Sequence, residues 1–244
     1  MNWVVASITT RQLLGRRRVL LLAAMGALMV LVALVYRLGD PTAEEAHDWT
    51  IQLLTEFGVR GMLPIVALII GTGAFGAEID EGTIIHLLSK PTARFEIVIS
   101  KLLPAVALTA LMTVPATVVV ALIGGSGDGA SLAVGFGAGM LAGSVIYAAV
   151  FVMLGMLTSR AFIIGLAYII LWEGLLAGLF AGTRTFSVRQ HVLGVTDAIV
   201  PISRVVGDVL EPTTALVVGA LAVVLVTAIG IRALGGFEVR GEAV

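Results

Sequence analysis

The sequence predicts an all-α integral membrane protein: six transmembrane helices with short amphipathic N-terminal, outer interfacial and cytoplasmic coupling helices. Three observations carry this. Of the 244 residues, 59% are hydrophobic and 13% charged, against about 25% charged in an ordinary soluble domain. Six apolar runs, near 19–36, 59–75, 102–123, 130–157, 161–181 and 213–234, reach the roughly 17–25 residues that cross a hydrocarbon core. Finally, six spans put both termini on one side, and that side then holds ten of the fifteen Lys and Arg residues. An excess of Lys and Arg marks the cytoplasmic side, so both termini are expected in the cytoplasm and the chain in the cell membrane. Residues 1–244 read as one transmembrane domain, because the spans must pack on each other.

Composition also excludes. A net charge of -1 offers no basic surface for nucleic acid. The absence of cysteine removes disulfides, thiolate metal sites and cysteine nucleophiles. No Gly-Lys pair occurs anywhere, so the chain holds no P-loop of its own.

Taken in order, residues 1–18 mix apolar positions with Arg11, Arg16, Arg17 and Arg18. Such a segment either lies in the headgroup layer or serves orientation alone. The apolar run 19–36 is too long for a cleaved signal peptide and Tyr36-Arg37-Leu38 is no cleavage site, so a retained span is expected. Next, Asp40 is the expected N-cap, with Pro41 at the first helical position. Ala46, Trp49, Leu53 and Phe57 share a face, which suggests an outer interfacial helix with an acidic solvated side.

The third span carries Pro104 and Pro115 and a stripe of Thr109, Thr113 and Thr117. These threonines either line a path or satisfy carbonyls that proline leaves free. In the fourth span Gly135, Gly139 and Gly143 recur every four residues, a stripe that lets another helix approach closely. The stretch 183–212, broken by Pro201 and charges, suits short amphipathic or re-entrant pieces. Glu173 falls near the middle of the fifth span. An acid there costs about 2.5–3.5 kcal/mol on insertion scales and must face protein or a water-filled cavity. It can contact substrate, relay protons, or bond a neighbouring hydroxyl structurally.

His47, His86 and His191 are scattered and cannot converge on a metal, so isolated surface histidines are expected. Gly124-Gly125-Ser126-Gly127 matches the G-x-S-G string of rhomboid-type proteases. With no histidine in any predicted span, the serine would lack a base, so catalytic residues are not expected.

The stretch around which the chain is organised runs from Gly76 to Lys101. Glu78, Asp80 and Glu81 open it, Gly82-Thr83 break it, and Ile84, Ile85, Leu87 and Leu88 follow at helical spacing. Three acids beside that face do nothing for orientation. A short amphipathic helix between two spans makes sense where something outside the bilayer holds it.

At Glu78-x-x-Glu81-Gly82-Thr83-Ile84, then Lys90-Pro91-x-x-Arg94 and Lys101, the sequence resembles membrane subunits of ABC-2-type ABC transporters. The likeness extends to the basic start, the six spans, the Trp172-Glu173 pair and the broken segment before span six. It implies a permease subunit that moves substrate, outward by expectation, without catalysing anything itself. By this resemblance Glu78, Glu81, Gly82, Thr83, Ile84, Leu87 and Leu88 form a docking surface for a cytoplasmic ABC ATPase. The N-terminal segment shares in that docking, and Pro91, Arg94 and Lys101 set how the coupling helix hangs from span three. ATP and magnesium would sit on that partner, and a second permease subunit, identical or not, would complete a dimer. Glu173, Thr109 and Thr113 are the candidate translocation-pathway residues. An ion-coupled secondary transporter using Glu173 as its proton site is the alternative, though no internal repeat favours it.

Overall fold

The computed structural model describes residues 3–80, 93–177 and 181–241. Among them every regular element is helical. In chain order these are α1 (Trp3–Leu13), α2 (Arg16–Arg37), α3 (Ala43–Leu53), α4 (Leu63–Asp80), α5 (Arg94–Gly124), α6 (Gly129–Leu157), α7 (Ala161–Ala167), α8 (Val188–Asp197), α9 (Ser203–Val206) and α10 (Pro212–Gly241). Two π-helical stretches, Leu54–Met62 and Tyr168–Leu176, join α3 to α4 and extend α7, and a 3₁₀ stretch covers Ala181–Phe186.

Among the described residues, five helical segments are long and apolar enough to cross a membrane: Arg17–Arg37, Ala43–Gly76, Arg94–Gly124, Gly129–Leu157 and Pro212–Leu234. Of the expected fifth span, Ala161–Leu176 is described as an apolar helix of 10–17 residues, about 24 Å at an α-helical rise against a ~30 Å hydrocarbon core. Residue 181, assigned from the sequence to that span, opens the 3₁₀ stretch instead.

The core lies around α4 and α6. Leu63, Val66 and Phe75 of the first and Met62 just before it, with Phe136, Met140, Tyr147 and Phe151 of the second, are fully or almost fully buried. Gly71 allows the closest approach of these helices: a Cβ there would lie 2.7 Å from that of Phe151. On the outside, Leu21, Leu31 and Val35 of α2 and Leu221, Val224 and Leu225 of α10 are more than half exposed. Faces this apolar suit lipid or a partner rather than water.

Three sequence expectations change. The outer interfacial helix and the second span are one continuous helix, Ala43 to Asp80. The π stretch lets Pro64 enter without a break, because a widened turn tolerates a missing N–H. At 34 residues, Ala43–Gly76 is about 51 Å long, so it tilts or extends past the hydrocarbon. Its α3 portion buries Ala46, Thr50 and Ile51, while Trp49, from the expected face, stacks on Tyr36 with centroids 3.8 Å apart.

Asp40 is not the N-cap. It adopts φ 52°, a conformation Asp tolerates better than most residues. Thr42 caps α3 instead, in a closed capping box with Glu45. A Thr-x-x-Glu pattern satisfies two backbone donors at once, which the Asp40-Pro41 pair does not.

The threonine stripe does not repair the prolines. Pro104 and Pro115 release the carbonyls four residues earlier, those of Ser100 and Leu111. Thr109, Thr113 and Thr117 donate instead to Ala105, Thr109 and Thr113 at 2.8, 2.9 and 3.0 Å. These hydroxyls are fully buried and add second donors to carbonyls already inside the helix.

Candidate functional site

Glu173 stands in the π stretch that extends α7 and is 5% exposed. Its neighbourhood follows from local geometry. In an α-helix, residues five apart point about 140° away from each other. The wider π turn brings them to one side, so the Tyr168 hydroxyl donates to Glu173 Oε1 at 3.1 Å.

Beyond the 3₁₀ stretch the chain returns to the same carboxylate. Ser187 Oγ donates to Oε2 at 2.6 Å and the Val188 N–H donates to Oε1 at 2.8 Å. Val188 begins α8, so Glu173 satisfies one of the donors left open at that helix start. It also places negative charge at the positive end of the helix dipole. Ser187 is the N-cap and accepts from the Gln190 N–H at 3.4 Å. Tyr168 closes the site below by meeting Phe151 edge-on, and Phe151 stacks on Tyr147.

From this anchor α8 runs beside α6, and the glycine stripe is what receives it. A Cβ at Gly143 would lie 2.5 Å from the Val192 side chain and 2.6 Å from that of Leu63. At Gly139 it would meet Thr196 Oγ1 and lie 2.7 Å from the Val192 carbonyl oxygen. At Gly135 it would lie 3.0 Å from the Val200 side chain. The helix that nestles on the stripe is therefore α8, which belongs to the broken segment 183–212. Because Gly143 is midway along α6, α8 packs against the middle of that helix.

His191, expected on the surface, is buried on α8, with Nδ1 3.0 Å from the Ala215 carbonyl oxygen of α10. His47 is half-buried and His86 lies outside the described residues. No cluster of metal-ligating side chains occurs among the described residues.

Above the carboxylate opens a cavity of about 350 Å³, lined by Glu173, Arg184, Ser187, Arg189, Gln190 and Asp208. Arg184 faces Asp208 at 3.5 Å, and Arg189 faces Glu56 at 3.7 Å. Glu56 also pairs with Arg60 at 2.8 Å, whose other nitrogen reaches the Gly174 carbonyl at 3.5 Å. Sequence reasoning singled out Glu173 but missed Tyr168, Ser187 and Arg189. A Ser-x-x-Gln pattern at 187–190 was the available signal for the helix start. A larger cavity of about 560 Å³, lined by Glu44, His47, Asp48, Asp128 and Arg204 among others, lies toward the Ser126 turn. There Arg37 donates to Ser126 Oγ at 3.0 Å.

At the opposite end α1 buries Ala6, Thr9 and Leu13, and Leu13 lies against Gly73 of α4, 3.3 Å from where its Cβ would be. The basic N-terminal segment thus packs on the bundle, with Arg11 exposed. Of the docking residues, Arg94 is half-buried in the first turn of α5, and the backbone at Glu78 continues α4 through Asp80. Glu81, Gly82, Thr83, Ile84, Leu87, Leu88 and Pro91 lie outside the described residues. Between the flanks of that segment sits Lys101, 1% exposed, donating from Nζ to the Ala74 carbonyl at 2.5 Å. The same nitrogen stands 4.4 Å from the centre of the Phe75 ring.

The family model described as ABC-2 family transporter protein matches residues 14–177. The chain belongs to this family. That makes it a multi-pass membrane protein and a transport component, and membership implies association with an ABC ATPase. Among curated proteins none matches the chain. The matched part of this ABC-2 protein runs from Leu14, just past α1, to Ala177, so it includes the docking segment and Glu173. The glycine stripe lies inside the match and the helix that fills it lies beyond.

Proposed function

We propose that this ABC-2 protein is the permease subunit of an ATP-driven exporter of the cell membrane. A separate cytoplasmic ABC ATPase binds ATP and magnesium and docks on Glu78, Glu81, Gly82, Thr83, Ile84, Leu87, Leu88, Pro91 and Arg94. Two permease subunits pair, both termini face the cytoplasm, and the chain itself catalyses nothing. The observation that carries this reading is the family match across the whole docking segment, together with three acids where orientation alone would call for bases.

Glu173 belongs to the substrate path in this reading. Support comes from the charged cavity it borders inside an otherwise apolar bundle, the kind of place where an intramembrane acid acts. Thr109 and Thr113 carry the path reading less well, because both hydroxyls are spent inside their own helix.

Purification of the unaltered chain from its native membrane tests the proposal. A P-loop ATPase that co-elutes, and is lost on Glu81→Arg or Gly82→Pro, is the expected result. Transport that needs a proton gradient, fails in Glu173→Gln and persists without ATP would replace it with ion-coupled transport.

A further inference from the structure

The polar wall of the cavity beside Glu173 divides into groups that are spent and groups that are open. Glu173 already takes three donors, close to the roughly four that a carboxylate can accept. Ser187 donates to it and accepts from the Gln190 N–H. The two guanidiniums are less engaged. Arg184 meets Asp208 at 3.5 Å, a long contact to a carboxylate that is 92% exposed and so screened by water. Arg189 stands 3.7 Å from Glu56, beyond hydrogen-bond reach, and its Nε is buried with no partner. The neighbouring Gln190 Oε1 is buried with no partner either. Burying polar atoms unpaired is costly, and two adjacent ones at the wall of one cavity point to a group that enters it.

Arg189 is free to serve such a group. Glu56 holds Arg60 at 2.8 Å, so turning the Arg189 head into the cavity strands no carboxylate. The volume of about 350 Å³ falls within the roughly 300–1,000 Å³ of small-molecule sites, far more than a bare ion needs. Guanidinium forks match oxyanions with paired hydrogen bonds. Two of them call for more than the two oxygens of a carboxylate, and a phosphate monoester brings three. The Gln190 carboxamide, which presents either its oxygen or its N–H by turning over, meets the remaining P–OH or P–O.

We propose that this cavity binds a phosphate monoester of headgroup size, held by Arg189 and Arg184 with Gln190 beside them, while Glu173 shapes the wall. The proposal rests on the reading of Glu173 as bordering the substrate path and names the chemistry of what travels it. A soluble ester and the headgroup of an amphiphile share that chemistry.

The full chain in phosphatidylcholine nanodiscs is titrated calorimetrically with phenyl phosphate and octyl phosphate, and with octyltrimethylammonium as the cationic control. Empty nanodiscs supply the background. One saturable site for a phosphate probe is expected, weakened about tenfold or more in Arg189→Met, the usual loss with a charge-assisted hydrogen bond. Arg189→Lys, which keeps the charge without the fork, falls between. Arg204→Met, in the larger cavity, binds like the unaltered chain. Binding of both phosphates marks a soluble ligand, and binding of octyl phosphate alone marks an amphiphile headgroup. Absence of saturable phosphate binding, undiminished binding in Arg189→Met, or tighter binding of the cation overturns the proposal. Gln190→Leu is read in the same way where the Met variant does not accumulate. The path reading fails separately: a probe that binds through Arg189, yet neither stimulates the partner ATPase nor is transported, leaves the site standing and takes it off the path.

Discussion

Ser187 Oγ lies 2.6 Å from Glu173 Oε2, which joins the end of one helical run to the start of the next inside the bundle. With the Val188 N–H at 2.8 Å and the Tyr168 hydroxyl at 3.1 Å, the carboxylate holds three donors from two directions. Ser187→Ala should cost about 1 kcal/mol, the usual effect of losing an N-cap. Glu173→Ala should cost about 3 kcal/mol or more, because it strands buried donors. A double-mutant cycle by chemical unfolding in detergent should return a coupling of at least 0.5 kcal/mol, typical for residues in one network. Strict additivity would mean the contact does not hold α8.

The glycine stripe gives a contrast within one helix. Gly139→Ala forces a methyl onto the Val192 carbonyl and Thr196, and overpacking of this kind costs about 1–3 kcal/mol. Gly137→Ala meets only the Val118 side chain at 3.7 Å and should stabilise by about 0.5–1 kcal/mol through helix propensity. Thermal melts of the two variants should shift in opposite directions. A shared direction would place α8 elsewhere.

Acid sensitivity is expected at the start of α10. Glu211 accepts from the Thr213 hydroxyl and from the N–H and hydroxyl of Thr214, which hold its carboxyl below the usual carboxylate range. A group whose folded pKa is depressed contributes stability above its unfolded pKa, about 4.3 for Glu, and loses it as pH falls through the folded value. Melting temperature plotted against pH should therefore drop more steeply below about pH 4 in the unaltered protein than in Glu211→Gln. Parallel curves would remove Glu211 from the helix cap.

Thr113→Val tests the path reading of the threonines. Its hydroxyl bonds only its own helix at 2.9 Å, so stability should move by less than about 1 kcal/mol. Transport, followed in vesicles, should stay within twofold of the unaltered protein. A large transport defect at unchanged stability would put Thr113 back on the path.

What the sequence made legible was the helix content and the burial of Glu173, because both follow from long apolar runs. The helix start at Thr42 was equally open to reading through its partner Glu45, but Asp40-Pro41 offered a rival signal two residues earlier. Other features were hidden for physical reasons. Nothing in a hydropathy pattern distinguishes a π stretch from an α-helix, so the fusion of α3 with α4 was invisible. The Glu173–Ser187 bond depends on the chain turning back into the bundle, which a segment of mixed polarity does not announce. Lys101, placed by the resemblance between the coupling helix and span three, is folded inward onto the Ala74 carbonyl, a contact that no spacing in the sequence announces.

The central claim is that an ATPase grips the segment between α4 and α5, and site-directed cross-linking tests it most directly in a chain without cysteine. A single cysteine at Thr83 carries a short photo-cross-linker, and a control cysteine sits at Ser126 in the turn before α6. In native membranes the account predicts an adduct with a P-loop ATPase from position 83 and none from 126. An adduct at 126, or no ATPase adduct at 83, contradicts it.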